Sequence, residues 1–245
     1  MTYIPARWIR AYSLDFTAQA NLTIVNGANT IDGKTWTGVN VGNASSFSIV
    51  NGTGLVIAAS ATSTDYHNAT RTSPILNIPI SSLIPNYSIE GHIVRFMARV
   101  LLTNCDTNFE GARLGIEDSS APTTQNFSLV KMFNGGDNFL VASTVSGSSV
   151  TGTQSNNFSD DVLAVTFEAP KGFELNSGVF SGGEFPYRPG TFRLGEIQNL
   201  ATPILDRQTD PRVFMAHQTG NTTSAFTMTV TNFLAEFVRK QPHSR

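Results

Sequence analysis

The sequence predicts an all-β fold: one two-sheet antiparallel β-sandwich of the jelly-roll type spanning residues 1–245, with long polar loops and at most short helical turns. Three observations predict it. Residues 94–101 (Val-Arg-Phe-Met-Ala-Arg-Val-Leu) and 225–230 (Ala-Phe-Thr-Met-Thr-Val) alternate apolar and polar side chains with period two. That spacing buries one face of a strand and wets the other. Such runs are set among Ser, Thr, Asn and Gly, the residues of turns and connecting segments. No composition break marks a linker, and no repeat of roughly 20–50 residues suggests a solenoid or propeller.

Taken in order, residues 7–16 read as a first strand and 22–25 as a second, ended by Asn26-Gly27. Residues 27–46 are rich in Gly, Asn and Thr, with Trp36 in their middle, and read as a long loop holding at most one short strand. Residues 47–50 and 55–58 flank Asn51-Gly52-Thr53-Gly54, a hairpin whose Asn-Gly pair tolerates the positive φ of a tight turn. After a polar loop over 59–73, residues 74–78 form a strand, and the proline-bracketed stretch 79–85 can hold at most a short helical turn. The longest strand runs over about 88–104, followed by 112–117, 127–133, 139–145 and 162–169. Residues 146–160 have the lowest complexity and read as a mobile or partner-facing loop; 170–190, broken by Gly and Pro, read as a second irregular excursion. Strands over 191–197, 212–218 and 225–238 close the chain, and aromatic residues in its first and last strands suit those two to pairing.

Composition narrows the function classes. Hydrophobic residues are 40% of the chain, enough for a full core, but charged residues are only 14%, against roughly 25% in ordinary soluble domains. Solubility then rests on hydroxyl and amide groups. A net charge of −2 supplies no field to gather nucleic acid or an anionic membrane. No stretch approaches the roughly 18 apolar residues of a membrane span. The single cysteine, Cys105, excludes an internal disulfide. No apolar run of signal-peptide length follows Met1, which predicts synthesis in a cytoplasm without standard export. The Asn-x-Ser/Thr sequons, Asn21 and Asn43 among them, then count as chance products of an Asn- and Thr-rich chain.

Residues 106–117 come nearest to a metal motif, with Asp106, Asn108 and Glu110 as early oxygen ligands and Glu117 as the closing carboxylate. Glu110 stands where Asp or Asn is usual and strands flank the loop, so no metal and no cofactor is expected. The histidines His67, His92, His217 and His243 lack metal spacing. Glycoside hydrolysis needs two facing carboxylates; Glu117-Asp118 and Asp160-Asp161 are adjacent pairs whose side chains diverge. Trp36, Tyr66 and Tyr187, each in a polar segment, are the candidate residues for stacking on a sugar ring.

The succession of Phe16, Gly33-x-x-Trp36, the hairpin over 47–58, the strand Val-Arg-Phe-Met-Ala-Arg-Val and then Ala-Arg-Leu-Gly-Ile-Glu resembles concanavalin A-like (laminin-G-like) jelly rolls, in texture across most of the chain. It is similar to the domains of that kind found in bacteriophage particle proteins. The resemblance implies a non-enzymatic virion protein, capsid-decorating or tail- or fibre-associated. Its partners would be other virion proteins and copies of itself, bound through loops and edge strands. The alternative is a carbohydrate-binding module that takes a host surface glycan. Lectin sugar and calcium residues match no position here.

Overall fold

The computed structural model describes residues 8–59, 74–88, 91–103, 111–118, 127–133, 139–145, 148–154, 160–168, 177–181, 191–194, 211–218 and 227–239. The first half holds β1 (Ile9–Asp15), β2 (Leu22–Thr23), β3 (Gly27–Ile31), β4 (Lys34–Val39), β5 (Ala44–Val50), β6 (Gly54–Ala59), β7 (Ile75–Pro79), β8 (His92–Thr103) and β9 (Gly111–Asp118). The second holds β10 (Phe127–Phe133), β11 (Phe139–Val145), β12 (Ser148–Gln154), β13 (Asp160–Glu168), β14 (Ser177–Ser181), β15 (Thr191–Leu194), β16 (Pro211–Gln218) and β17 (Thr227–Arg239). The one α-helical turn among the described residues is α1 (Ile80–Leu83).

The strands form two antiparallel sheets, so the all-β sandwich is the observed architecture. Sheet I runs β15-β14-β13-β8-β17-β6-β5-β2, with β1 also pairing to β17. Sheet II runs β12-β11-β10-β9-β16-β7-β4-β3. β1 and β6 share one side of β17: β6 pairs with residues 227–230 and β1 with 232–237, separated by a bulge on β17 after Val230. One long strand thus anchors both β1 and the β5–β6 hairpin.

Alternation sets what faces the core. On β8, Val94, Phe96, Ala98, Val100 and Leu102 join the core cluster, while Arg95, Met97, Arg99 and Leu101 take the other face. Between the sheets Trp36 from sheet II, wholly buried, meets Phe16 and the sheet I residue Phe233 edge-on, with ring centroids 6.2 and 5.5 Å away. Phe96 stacks on Phe233 at 6.2 Å. α1 follows Pro79, whose fixed φ suits the start of a helical turn. It seals one end with Ile80, Leu83 and Ile84, and Pro85, lacking an N–H, cannot extend it.

Three segments differ from the sequence reading. Residues 27–46 are no long loop: β3 and β4 make a hairpin across Asp32 (φ 49°) and Gly33 (φ 68°). Positive φ at both central residues is the I′ geometry that Asp-Gly favours. Residues 148–154 form β12, paired along its whole length with β11, where ladder hydrogen bonds supply the order that low-complexity composition hides. β14 lies within the expected excursion over 170–190.

The 51–54 turn tests the backbone argument. Gly54 sits at φ +124°, and a Cβ there would lie 2.5 Å from the Val230 carbonyl oxygen. Gly52, at φ +78°, has open space around it. Gly54→Ala is expected to cost about 1–3 kcal/mol through strain and overpacking, and Gly52→Ala about 1 kcal/mol. Urea denaturation midpoints should rank the two variants in that order.

Candidate functional site

The outer face of sheet II carries an unusual polar group. On β16, Val213 and Met215 join the core cluster, so Phe214 and Ala216 point the other way. On β7, Leu76 and Ile78 face the core, which turns Ile75 and Asn77 outward. Thr37, Asn77, Phe214 and Gly115 occupy successive register positions across β4, β7, β16 and β9. Ile75, Asn77, Phe214 and Ala216 are all 0% exposed, although they face away from the core between the sheets. This face is therefore covered, not washed by solvent.

Within it, Arg212 Nη1 donates to Asn77 Oδ1 at 2.9 Å and to Thr37 Oγ1 at 3.2 Å. Arg212 is also the register partner of Glu117 on β9. A guanidinium, a buried amide and a hydroxyl are thus gathered beside an aromatic ring. A buried polar atom is costly unless hydrogen-bonded, so the bonds from Arg212 hold the geometry of the three.

The outer face of sheet I holds a different arrangement. Glu236, wholly buried, accepts hydrogen bonds from Arg95 Nε at 3.0 Å and from Arg95 Nη2. The Arg95 guanidinium lies over the Trp8 ring, 4.2 Å from its centroid, and Arg10 on β1 is the register partner of Glu236 on its other side. This carboxylate is committed to holding β1, β17 and β8 together.

A third cluster closes one end of sheet I. His92 Nδ1 lies 3.1 Å from both the backbone nitrogen and the carbonyl oxygen of Ser88. The His92 ring packs against Tyr87 and Phe237, at 5.8 and 5.5 Å between centroids. His92 Nε2 and the Tyr87 hydroxyl are buried without hydrogen-bond partners. Burial pushes the Tyr87 hydroxyl well above the ordinary phenol range. Tyr12, whose hydroxyl likewise lacks a partner in hydrogen-bonding geometry, is pushed up by burial and then by the charge of Asp32.

The sugar-stacking role expected for Trp36 is corrected: its ring lies inside the core and presents no face to a ligand. The β3–β4 hairpin turns Trp36 inward, because the strand alternation puts it on the same face as the buried Ile31 of its partner strand. Tyr66 and Tyr187 lie outside the described residues, as do Asp106, Asn108, Glu110 and Cys105. Among the described residues no three His, Cys, Asp or Glu side chains cluster as metal ligands, and no helix is long and apolar enough to cross a membrane. The sequence reading missed Asn77, Arg212 and Glu236. A signal existed for two of them: Asn77 interrupts Ile-Leu-Asn-Ile, and Glu236 interrupts Phe-Leu-Ala-Glu-Phe-Val. Polar residues inside apolar strand runs mark sites where a partner has been provided.

No protein-family model matches the chain, and no curated protein matches it either. Solved structures do. A GH43 protein from Bacillus licheniformis aligns over 93% of this chain at 12% identity with a TM-score of 0.61, and the chain spans 39% of that protein's length. The carbohydrate recognition domain of Emp47p aligns over 98% of this chain and 100% of its own, at 10% identity and a TM-score of 0.52. A structure from work on endo-acting O-glycanases of the human gut microbiota aligns over 95% of this chain and 100% of its own, at 13% identity and a TM-score of 0.56. What is shared is the concanavalin A-like jelly-roll fold. None of the three is described as a particle protein.

These structures correct the expectation of a protein without catalysis. The same architecture occurs in glycan-cleaving proteins, so the lack of a contiguous acid motif does not exclude an enzyme. The physical reason is that facing carboxylates can be assembled across neighbouring strands, where no run of residues records them.

Proposed function

We propose that this protein is a carbohydrate-binding β-sandwich that takes its glycan where Arg212 and Thr37 stay partly exposed beside the covered face of sheet II. The observation that carries the reading is the pair of partly exposed side chains Arg212 and Thr37, fixed by hydrogen bonds from the guanidinium to the Thr37 hydroxyl and to the buried Asn77 amide. Guanidinium and hydroxyl groups bond sugar hydroxyls, and the hydrogen bonds among Arg212, Thr37 and Asn77 hold the two ready for a ligand. The fold shared with a carbohydrate recognition domain and with glycan-processing proteins supports it.

A glycan array followed by calorimetry tests the reading. The wild-type protein is expected to bind at least one glycan saturably. Arg212→Ala should weaken that binding roughly ten- to hundredfold, the loss of a charge-assisted hydrogen bond, and Arg212→Lys should restore part of it, keeping the charge without the planar fork. Saturable binding to no glycan, or a folded Arg212→Ala protein that binds like wild type, sinks the proposal. Product release followed on the same glycans reads whether the bound chain is also cut.

The setting is a separate part of the proposal. A chain with 14% charged residues suits packing among neighbouring subunits, as in a virus particle assembled in a host cytoplasm. Cross-linking of native particles, with this chain joined to particle proteins, is the result expected; recovery only outside particles overturns it.

A further inference from the structure

Five strands border the two sheets among the described residues, and they are not protected alike: β1, paired only with β17, carries Arg10 and Asp15. β2 has only two residues, and β15 has four, one of them Arg193. At β3, Asn29 Nδ2 donates to the Val25 and Gly27 carbonyls and Asn29 Oδ1 accepts from the Val25 N–H, so the first carbonyl of the strand and the chain leading into it are occupied. Shortness, charge and occupied backbone groups are the devices that keep a sheet edge from pairing with another chain. β12 has none of them. It has seven residues, pairs with β11 in unbroken register from Phe139↔Gln154 to Val145↔Ser148, and contains no proline and no charged residue. Among the described residues no strand lies on its far side.

We propose that β12 is a self-assembly edge, pairing antiparallel with β12 of a second copy so that two sheets II become one continuous sheet. The sequence of the strand selects this occupant. A twofold axis through Thr151 sets Val150 opposite Gly152, Ser149 opposite Thr153 and Ser148 opposite Gln154. Every position is uncharged, so self-pairing carries none of the like-charge penalty that normally forbids it. An isologous contact of this kind closes at two copies instead of growing into a fibre. With Val150 its only large apolar residue, the strand pairs through its backbone and not by apolar collapse.

Sedimentation of the full chain tests the proposal. The wild type is expected at twice the 26.4 kDa chain mass. Thr151→Lys and Thr151→Glu each place like charges on the twofold axis, so each alone should sediment as a monomer while an equimolar mixture regains the dimer. Because a substitution in β12 can also disturb β11, hydrogen exchange of the wild type supplies a second readout: β12 amides should gain protection as concentration rises. A wild-type mass of 26.4 kDa up to on the order of 100 μM overturns the proposal and leaves the edge to a strand of another protein. So do charged variants that dimerise as well as wild type does.

Discussion

Trp36→Ala is expected to lower the free energy of unfolding by about 3–5 kcal/mol, the range for truncating a buried aromatic ring. The cavity opens where the sheets meet, between Phe16 and Phe233, and neither backbone can close it without pulling β4 or β17 out of register. Trp36→Phe should cost less, about 1–2 kcal/mol. It keeps an edge-on ring and removes Trp36 Nε1, a donor buried without a partner whose desolvation already counts against the native state. Chemical denaturation gives both values, and because Trp8 is the only other tryptophan, the fluorescence lost in Trp36→Phe reports the core site directly. The same two variants separate a core role from a sugar-binding one. A core residue alters the folded fraction and leaves the glycan affinity of the folded protein unchanged; a stacking residue does the reverse. A stable Trp36→Ala protein with lost binding contradicts the interior placement.

The case of Trp36 shows where the sequence was legible and where it was not. β8 announces itself by alternation along most of its length, and β17 by the alternation of residues 225–230 ahead of the bulge that shifts the phase of the rest. The β5–β6 hairpin was equally readable from Asn51-Gly52. The β3–β4 hairpin carries the same kind of signal in Asp32-Gly33, but its strands offer only Ile31, Trp36 and Val39 as large apolar residues, too few for a periodic pattern. From the sequence the ring could either stack on a sugar or pin its segment to the core, and it is the anchor that folds the hairpin onto the core. β12 is the extreme case, a strand held by ladder bonds with almost no hydrophobic alternation to announce it. Of the candidate site, the odd Asn77 within an apolar strand could be seen, but not its partner. Arg212 and Thr37 come from distant parts of the chain, and only the order β4-β7-β16 brings them to one amide.

Breaking the pair on the opposite sheet should be as costly as emptying the core. Glu236 is 0% exposed and Arg95 23%, so most of the water that would solvate the carboxylate is gone and the guanidinium replaces it. Arg95→Ala leaves that carboxylate buried beside Leu234 and Met97, which the same face also buries, and is expected to cost about 3–5 kcal/mol. Glu236→Ala should cost a similar amount. Arg95 is partly exposed and still stacks on Trp8, which softens the loss of its partner, so the glutamate variant should be the milder of the two. The pair differs from a favourable contact of equal strength in what happens when both members go. Replacing Arg95 and Glu236 together by Met and Leu removes two desolvation penalties with the attraction, and the double variant should be more stable than either single one. Urea midpoints of the four proteins complete the cycle. Additive losses would mean that the two side chains act independently and that β1 is held by its backbone ladder alone. A rescued double variant would show that the sheet tolerates apolar packing here and that the ion pair serves to set register, since a shift of β17 by one residue parts Glu236 from both Arg95 and Arg10.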